Sequence, residues 1–201
     1  MKKCSVVCGY RPIIKEKYDG ELIGVDRGAL YLAKNNKEID ISIGDFDSVS
    51  EEEFLIIKNK SKKIIKLNSI KDDTDFEHAL NYLKDKYDLF EIYGILGGRK
   101  DHDLLNIKLL YLSDLNFVCY DDKNKIYCLS SGTYKIKKDG YKYLSLMTFE
   151  EVSLSLDGTL YPMDNKIINI NDNYTTSNEI IDDYCVLKIN KGKLLIIQCN
   201  D

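Results

Sequence analysis

The sequence predicts an α/β protein: an N-terminal doubly wound, mostly parallel sheet domain over residues 1–123 and a C-terminal antiparallel β-sandwich over residues 124–201. Three observations carry this. Up to about residue 121, short apolar runs alternate with segments of helical period, the cadence of right-handed strand–helix–strand crossovers. From about residue 124 the helical period disappears. Strand-like runs separated by turn residues take its place.

The elements follow in order. Ser5–Cys8 and Leu22–Val25 are apolar runs, and Gly28–Lys34 reads as helix. Ile41–Ile43 is followed by a helix opening at Ser50, with Glu53 three residues on in a capping-box pattern. After Ile64–Leu67, the residues Phe76, Ala79, Leu80 and Leu83 recur at helical spacing within a helix over 75–86. Phe90–Leu96 is strand, Asp101–Leu112 helix, and Phe117–Tyr120 strand. The second half reads as strands at Lys125–Leu129, Thr133–Ile136, Tyr143–Thr148, Val152–Leu156, Ile167–Ile170, Cys185–Ile189 and Leu194–Gln198. Turns are expected at Ser131-Gly132, Asp139-Gly140, Asp157-Gly158 and Lys191-Gly192.

Composition excludes several classes. With 29 basic and 33 acidic side chains in 201 residues, the net charge of −4 gives no footprint for nucleic acid. No run reaches the roughly 18 apolar residues of a membrane span. The apolar stretch after Met1-Lys2-Lys3 is too short for a signal peptide, so a cytoplasmic location is expected. Six cysteines at 4, 8, 119, 128, 185 and 199 make no CxxC pair and no zinc spacing, and read as buried free thiols.

The acidic residues carry the chemistry. Asp26 ends one strand run. Asp45 and Asp47 end the next, in Gly44-Asp45-Phe46-Asp47-Ser48. Asp72, Asp73 and Asp75 follow Ile64–Leu67, and Asp101 and Asp103 follow Gly97-Gly98-Arg99. In a parallel sheet these loops share the carboxyl edge, where ligands bind at the point of strand-order reversal. Carboxylates so concentrated require a cation, and oxygen ligands suit Mg²⁺ shared with substrate phosphates. Asp45 and Asp47 straddle Phe46, so an extended segment points both the same way. Asp26 also reads as a plain helix N-cap, and Thr74 with Glu77 as a plain capping box that puts Asp75 in a first helical turn. Gly97-Gly98-Arg99 turns into a helix whose free N–H groups and guanidinium fork suit an anion. No Walker-type phosphate loop is present. His102 stands within the Arg99-Lys100-Asp101-His102 stretch, and His78 reads as a surface or packing residue.

The ordered set Val25-Asp26-Arg27-Gly28, Gly44-Asp45-Phe46-Asp47-Ser48, Lys71-Asp72-x-Thr74-Asp75-x-Glu77-x-Ala79-Leu80 and Gly97-Gly98-Arg99-x-Asp101-His102-x-Leu104-x-Asn106 resembles the thiamine pyrophosphokinase family of bacterial type. Gly158-Thr159-Leu160-Tyr161-Pro162-Met163 and Ser177-Asn178-Glu179 extend the resemblance over essentially the whole chain. It implies a homodimer with active sites between subunits, in which thiamine's hydroxyl attacks the β-phosphorus of ATP to give thiamine diphosphate and AMP. By motif it implies Asp45, Asp47 and Asp75 around Mg²⁺ and the polyphosphate, with Arg99 also catalytic. It places Asp26, Arg27, Gly28, Thr74, Gly98, Arg99, Asp101 and His102 on the ATP side. Asp75, Ser177 and Asn178 fall on the thiamine side. Two departures stand out: the chain has no Trp to stack on thiamine, and Cys8-Gly9-Tyr10-Arg11-Pro12 stands where relatives often have small residues and glycines.

Three other readings compete. Asp45-Phe46-Asp47-Ser48-Val49 also fits the nucleophile motif of haloacid-dehalogenase-like phosphatases, with Asp121-Asp122 as their later acidic pair. A second keeps the transfer chemistry with another acceptor, such as a hydroxymethylpterin. A third is a non-catalytic sensor of nucleotide or thiamine.

Overall fold

The computed structural model describes residues 1–10, 12–68 and 74–201. The chain divides into two compact units, Met1–Asp122 and Lys123–Asp201.

In the first unit the strands are β1 (Lys3–Val7), β2 (Glu21–Val25), β3 (Ile39–Gly44), β4 (Ser61–Lys66), β5 (Leu89–Tyr93) and β6 (Phe117–Tyr120). They lie in the order β6-β5-β1-β2-β3-β4, and every pairing between them is parallel. The helices are α1 (Arg27–Lys34), α2 (Glu51–Lys60), α3 (Asp75–Leu83) and α4 (Lys100–Leu112). This is the doubly wound parallel sheet that the alternating pattern predicts. The central strands are buried on both faces, which explains why they read as continuous apolar runs rather than alternating ones.

Local signals place the helices. The capping box at α2 is complete: Glu53 N donates to Ser50 Oγ at 3.2 Å and Ser50 N donates to Glu53 Oε2 at 3.2 Å. At α3 the N-cap half of the expected box is made, Glu77 N donating to Thr74 Oγ1 at 3.1 Å. Ala29, Leu30, Leu32 and Ala33 of α1 pack with Val7, Ile39, Phe46, Ile57 and Tyr93 in one apolar layer. Among its described residues the β1–β2 connection forms no helix. Instead Lys15 pins it, its ammonium donating to Tyr93 Oη at 2.5 Å, pairing with Glu91 at 3.6 Å and lying over the Tyr93 and Tyr120 rings.

The second unit is antiparallel, as expected, with β7 (Asn124–Lys137), β8 (Tyr143–Met147), β9 (Val152–Asp157), β10 (Met163–Ile168) and β11 (Tyr184–Cys199). Two expected turns are not turns. Ser131-Gly132 lies inside β7 and Lys191-Gly192 inside β11, and the two strands pair along nearly their full length. A register shift between Ile189 and Lys193 replaces the turn. The shift changes which parity of β11 faces the core: Cys185, Leu187 and Ile189 before it, Leu194 and Ile196 after it. The break in alternation that suggested two strands is a bulge in one. The strand expected at Ile167–Ile170 lies earlier, as β10.

None of the six cysteines is in a disulfide; four are buried and Cys128 and Cys199 half-buried. Burial pushes Cys4 up to about 12 and Cys128 and Cys185 up to about 11, so these thiols are inert at neutral pH. Among the described residues no helix is long and apolar enough to cross a membrane.

Candidate active site

The carboxyl edge of the first unit's sheet carries the acidic rim. One ligand oxygen each from Asp26, Asp45 and Asp47 lies within 4.8 Å of the others. Asp26 follows β2 and Asp45 ends the run begun by β3, so neighbouring parallel strands deliver them side by side. Asp26 N donates to Ile43 O at 2.8 Å and ties the two strand ends together.

The route by which Asp45 and Asp47 meet differs from the expected one. Phe46 has φ of +58°, so the segment is not extended. A tight turn brings the pair together, with Asp47 N donating to Asp45 Oδ1 at 3.1 Å. Phe46 is buried beneath this turn against Phe54, at 5.1 Å between ring centroids. Core packing therefore holds the backbone in a conformation that a non-glycine residue adopts at a cost.

Asp26 occupies the N-cap position of α1 at φ +47°, yet its side chain makes no capping bond. Its Oδ2 accepts from Ser48 Oγ at 2.8 Å. Its Oδ1 is buried and has no hydrogen-bond partner among the described residues. Burial raises the Asp26 carboxyl above its ordinary value. The Ser48 hydroxyl and the Arg27 amide oppose that shift, while the charges of Asp75 and Asp45 add to it. A buried anionic oxygen without a donor is costly unless a cation meets it. These three oxygen donors therefore fit a hard divalent cation such as Mg²⁺.

Beside this group a cavity of about 410 Å³ opens at the same edge. Of the residues expected at the site, Asp26, Thr74, Asp75, Gly98, Arg99 and His102 line it. Asp75, in the first turn of α3, is close enough for its charge to act on Asp26. Asp72, Asp73 and Lys71 of the expected motif, and Arg11, lie outside the described residues.

The anion-binding elements have internal partners. The Arg99 guanidinium grips Asp101 through Nε at 3.2 Å and Nη2 at 2.5 Å. That pairing holds the Asp101 carboxyl down at about 2. Asp101 also accepts from His102 N at 3.0 Å, and so covers part of the N-terminus of α4. Arg27 Nη1 donates to Ser48 O at 3.1 Å, which braces the loop holding Asp26's hydroxyl partner. Gly28, one residue on, lets α1 approach β1.

Ser177 and Asn178 lie in the second unit. Ser177, at φ +56°, donates its amide to Ser145 Oγ at 3.0 Å. Asn178 is buried and its amide is saturated: Nδ2 donates to Tyr161 O at 2.8 Å and Thr159 Oγ1 at 3.2 Å, while Oδ1 accepts from Tyr161 N and Glu179 N. Its side chain clamps the 159–161 segment.

Sequence reasoning assigned no role to Tyr10, which lines the cavity, and none to the Ser48 hydroxyl as Asp26's partner. Ser48 was findable as the polar residue just past the Asp pair. Tyr10 gave no signal, since its loop departs from the family pattern.

Fold and site together define an α/β domain with a cation-competent acidic group beside a ligand-sized crevice, followed in sequence by an antiparallel β unit. The thiamin pyrophosphokinase catalytic-domain family matches residues 18–120, and the thiamin pyrophosphokinase vitamin B1 binding-domain family matches residues 133–194. The thiamine pyrophosphokinase of Bacillus subtilis (strain 168) is 35% identical over 186 residues, spanning 89% of this chain and 87% of that protein. A crystal structure of thiamine pyrophosphokinase from Bacillus subtilis superposes with a TM-score of 0.89 at 32% identity, covering 100% of both chains. A thiamin pyrophosphokinase family protein from Enterococcus faecalis gives 0.85 at 27% identity, again over 100% of both. The chain belongs to the thiamine pyrophosphokinase family and is an enzyme, a transferase of the kinase type. That membership sets aside the dehalogenase-like reading of Asp45–Val49.

Proposed function

We propose that the chain transfers the pyrophosphoryl group of ATP to the hydroxyl of thiamine. A bond forms between the hydroxyl oxygen and the β-phosphorus. The bond from that phosphorus to the α–β bridging oxygen breaks, and AMP leaves with that oxygen. Thiamine diphosphate is the other product. Family membership supports the substrate pair. The observation that carries the chemistry is the buried, donor-less Oδ1 of Asp26 within 4.8 Å of Asp45 and Asp47 oxygens.

In this reading Asp26, Asp45 and Asp47 would hold Mg²⁺, with Asp26 taking the place of Asp75 in the set that the resemblance implies. Bound there, Mg²⁺ supplies charge neutralisation for the polyphosphate oxygens and the leaving group. Asp75 on the cavity wall is positioned to orient thiamine and to accept the hydroxyl proton, ahead of Asp101, which Arg99 keeps ionised but occupied. Arg99 turns from Asp101 toward the polyphosphate as substrate enters. Arg27, Gly28, Thr74, Gly98, Asp101 and His102 shape the nucleotide side. Ser177 meets the thiamine pyrimidine, and Asn178 orders the 159–161 segment beside it. The enzyme works in the cytoplasm as a homodimer whose sites are completed by the partner subunit.

The test mixes protein, Mg²⁺, ATP and thiamine and follows products by phosphorus NMR. Thiamine diphosphate and AMP in equal amounts are expected, absent with EDTA and reduced by about 10²–10³-fold in Asp47→Ala. ADP with thiamine monophosphate would overturn the attack at the β-phosphorus.

A further inference from the structure

The strand order of the first unit reverses at one place. From β1 the chain runs outward to β4 on one side, then returns to β5 on the other. Ligands enter such folds at the crevice beyond the carboxyl ends of the two strands at the reversal. Two loops meet there, Cys8–Tyr10 after β1 and Gly94–Gly98 after β5. Backbone bonds join them, Cys8 N donating to Tyr93 O at 2.8 Å and Tyr10 N to Gly94 O at 3.1 Å.

The ring of Tyr10 rests on the Gly97–Gly98 backbone. A Cβ built on Gly98 would stand 2.7 Å from Tyr10 Cδ2, so any side chain there would displace the ring. The turn beneath is held by Asp103, whose Oδ1 accepts from Gly97 N at 3.0 Å and Gly98 N at 3.3 Å. Its Oδ2 accepts from Lys100 Nζ at 3.0 Å. The glycine amides are therefore committed to Asp103 rather than open to a phosphate. The crevice presents an aromatic surface at this point, 37% exposed and lining the cavity with Arg99 and His102.

Surfaces of this kind suit a planar heterocycle, because every nucleobase has a π-face. The acidic group stands at the ends of β2 and β3, and Tyr10 at β1 and β5. Two strand spacings, about 10 Å, separate them. A nucleotide whose phosphates meet the acidic group thus carries its base toward Tyr10. We propose that Tyr10 is a base-binding residue for the nucleotide, its ring being the surface on which the purine stacks more strongly than a pyrimidine. Asp103 is the positioning residue that holds the turn beneath that ring. This rests on the reading that the phosphate donor is a nucleoside triphosphate.

Calorimetric titration of the full-length protein with ATP, CTP and inorganic tripolyphosphate, each with Mg²⁺, tests it. Tyr10→Ala and Tyr10→Leu are expected to weaken ATP binding about tenfold, to narrow the preference for ATP over CTP, and to leave tripolyphosphate within about twofold. Tyr10→Leu keeps apolar cover over Gly98, so loss in both variants assigns the effect to stacking rather than packing. Tyr10→Phe retains ATP binding. Asp103→Ala loses it to a similar degree, and Asp103→Asn, which keeps an acceptor for the two amides, restores it. A wild type that binds ATP with Tyr10→Ala unchanged overturns the role of Tyr10. So does equal loss of ATP and tripolyphosphate. A wild type that binds thiamine and none of the three phosphate ligands overturns the nucleotide reading itself.

Discussion

Ser48 Oγ donates to Asp26 Oδ2 at 2.8 Å, while Oδ1 of the same carboxylate is buried without a donor. Half of the group is satisfied by protein and half is left for something else. An N-cap aspartate would turn its oxygen to the amide two or three residues on, and this one makes no such side-chain cap. The arrangement stabilises a bound cation at the cost of stability without one. Mg²⁺ should therefore raise the thermal midpoint, by the equivalent of about 2.7 kcal/mol at a hundredfold excess over its Kd. The increment should vanish in Asp26→Asn and Asp47→Ala. Scanning calorimetry with and without EDTA checks this, and an undiminished increment in Asp26→Asn would place the ion elsewhere.

The same buried oxygen makes a pH prediction. Burial raises the folded Asp26 carboxyl above its unfolded value of about 4. Between the two values the folded protein binds the proton more tightly than the unfolded chain. Stability contributed by this group is then present at low pH and lost as pH rises through the folded value. Metal-free Asp26→Asn lacks that loss. Its stability relative to wild type should therefore climb from about pH 4 upward and then level off. Urea midpoints across the range decide, and a difference independent of pH would contradict the assignment.

How much of this was legible in the sequence depended on whether the signal was local. The parallel unit was readable because buried strands and capped helices announce themselves over a few residues: Ser50 and Glu53 sit three apart and make both expected bonds. The rim was readable because parallel strands deliver every strand-end Asp to one edge. The way Asp47 joins Asp45 and Asp26 was not, since it depends on Phe46 adopting positive φ over a buried ring. Lys191-Gly192 misled for a related reason. A Lys-Gly pair in a broken alternation reads the same for a turn and a bulge, and only the partner strand β7 distinguishes them. The commitments of Arg99 to Asp101, two residues on, and of Asn178 to the 159–161 segment leave no trace in residue type.

Asn178 is the position where a binding role and a structural role separate cleanly. All four of its amide bonding positions are used within the second unit. Asn178→Ala removes them at once and leaves the part-buried Tyr161 and Glu179 backbone groups without these partners. A loss of about 2–4 kcal/mol in unfolding free energy is expected. Ser177→Ala leaves that network intact and should change stability by less than about 1 kcal/mol while raising the KM for thiamine. Equilibrium denaturation beside steady-state kinetics separates the two, and equal stability of both variants would sink the clamp.

Gly28 tests whether the rim depends on the packing beneath it. A Cβ at this position would stand 2.1 Å from Val7 O, 2.7 Å from Val7 C and 2.8 Å from Cys8 C. All three are backbone atoms, and Val7 belongs to β1, held between β2 and β5, so the strand has nowhere to give. The start of α1 must move instead, and Asp26 is its N-cap. Gly28→Ala should therefore cost stability of about 3 kcal/mol or more, at the upper end for overpacking. It should also weaken Mg²⁺ binding, because displacement of α1 draws Asp26 away from Asp45 and Asp47. Arg27→Ala, one residue earlier and removing only a bond to Ser48 O, should leave stability within about 1 kcal/mol. Urea unfolding of both variants, followed by Mg²⁺ titration of whatever remains folded, gives the comparison. A Gly28→Ala protein that is as stable as wild type and binds Mg²⁺ equally well would mean that the acidic group holds its shape without the helix that carries Asp26.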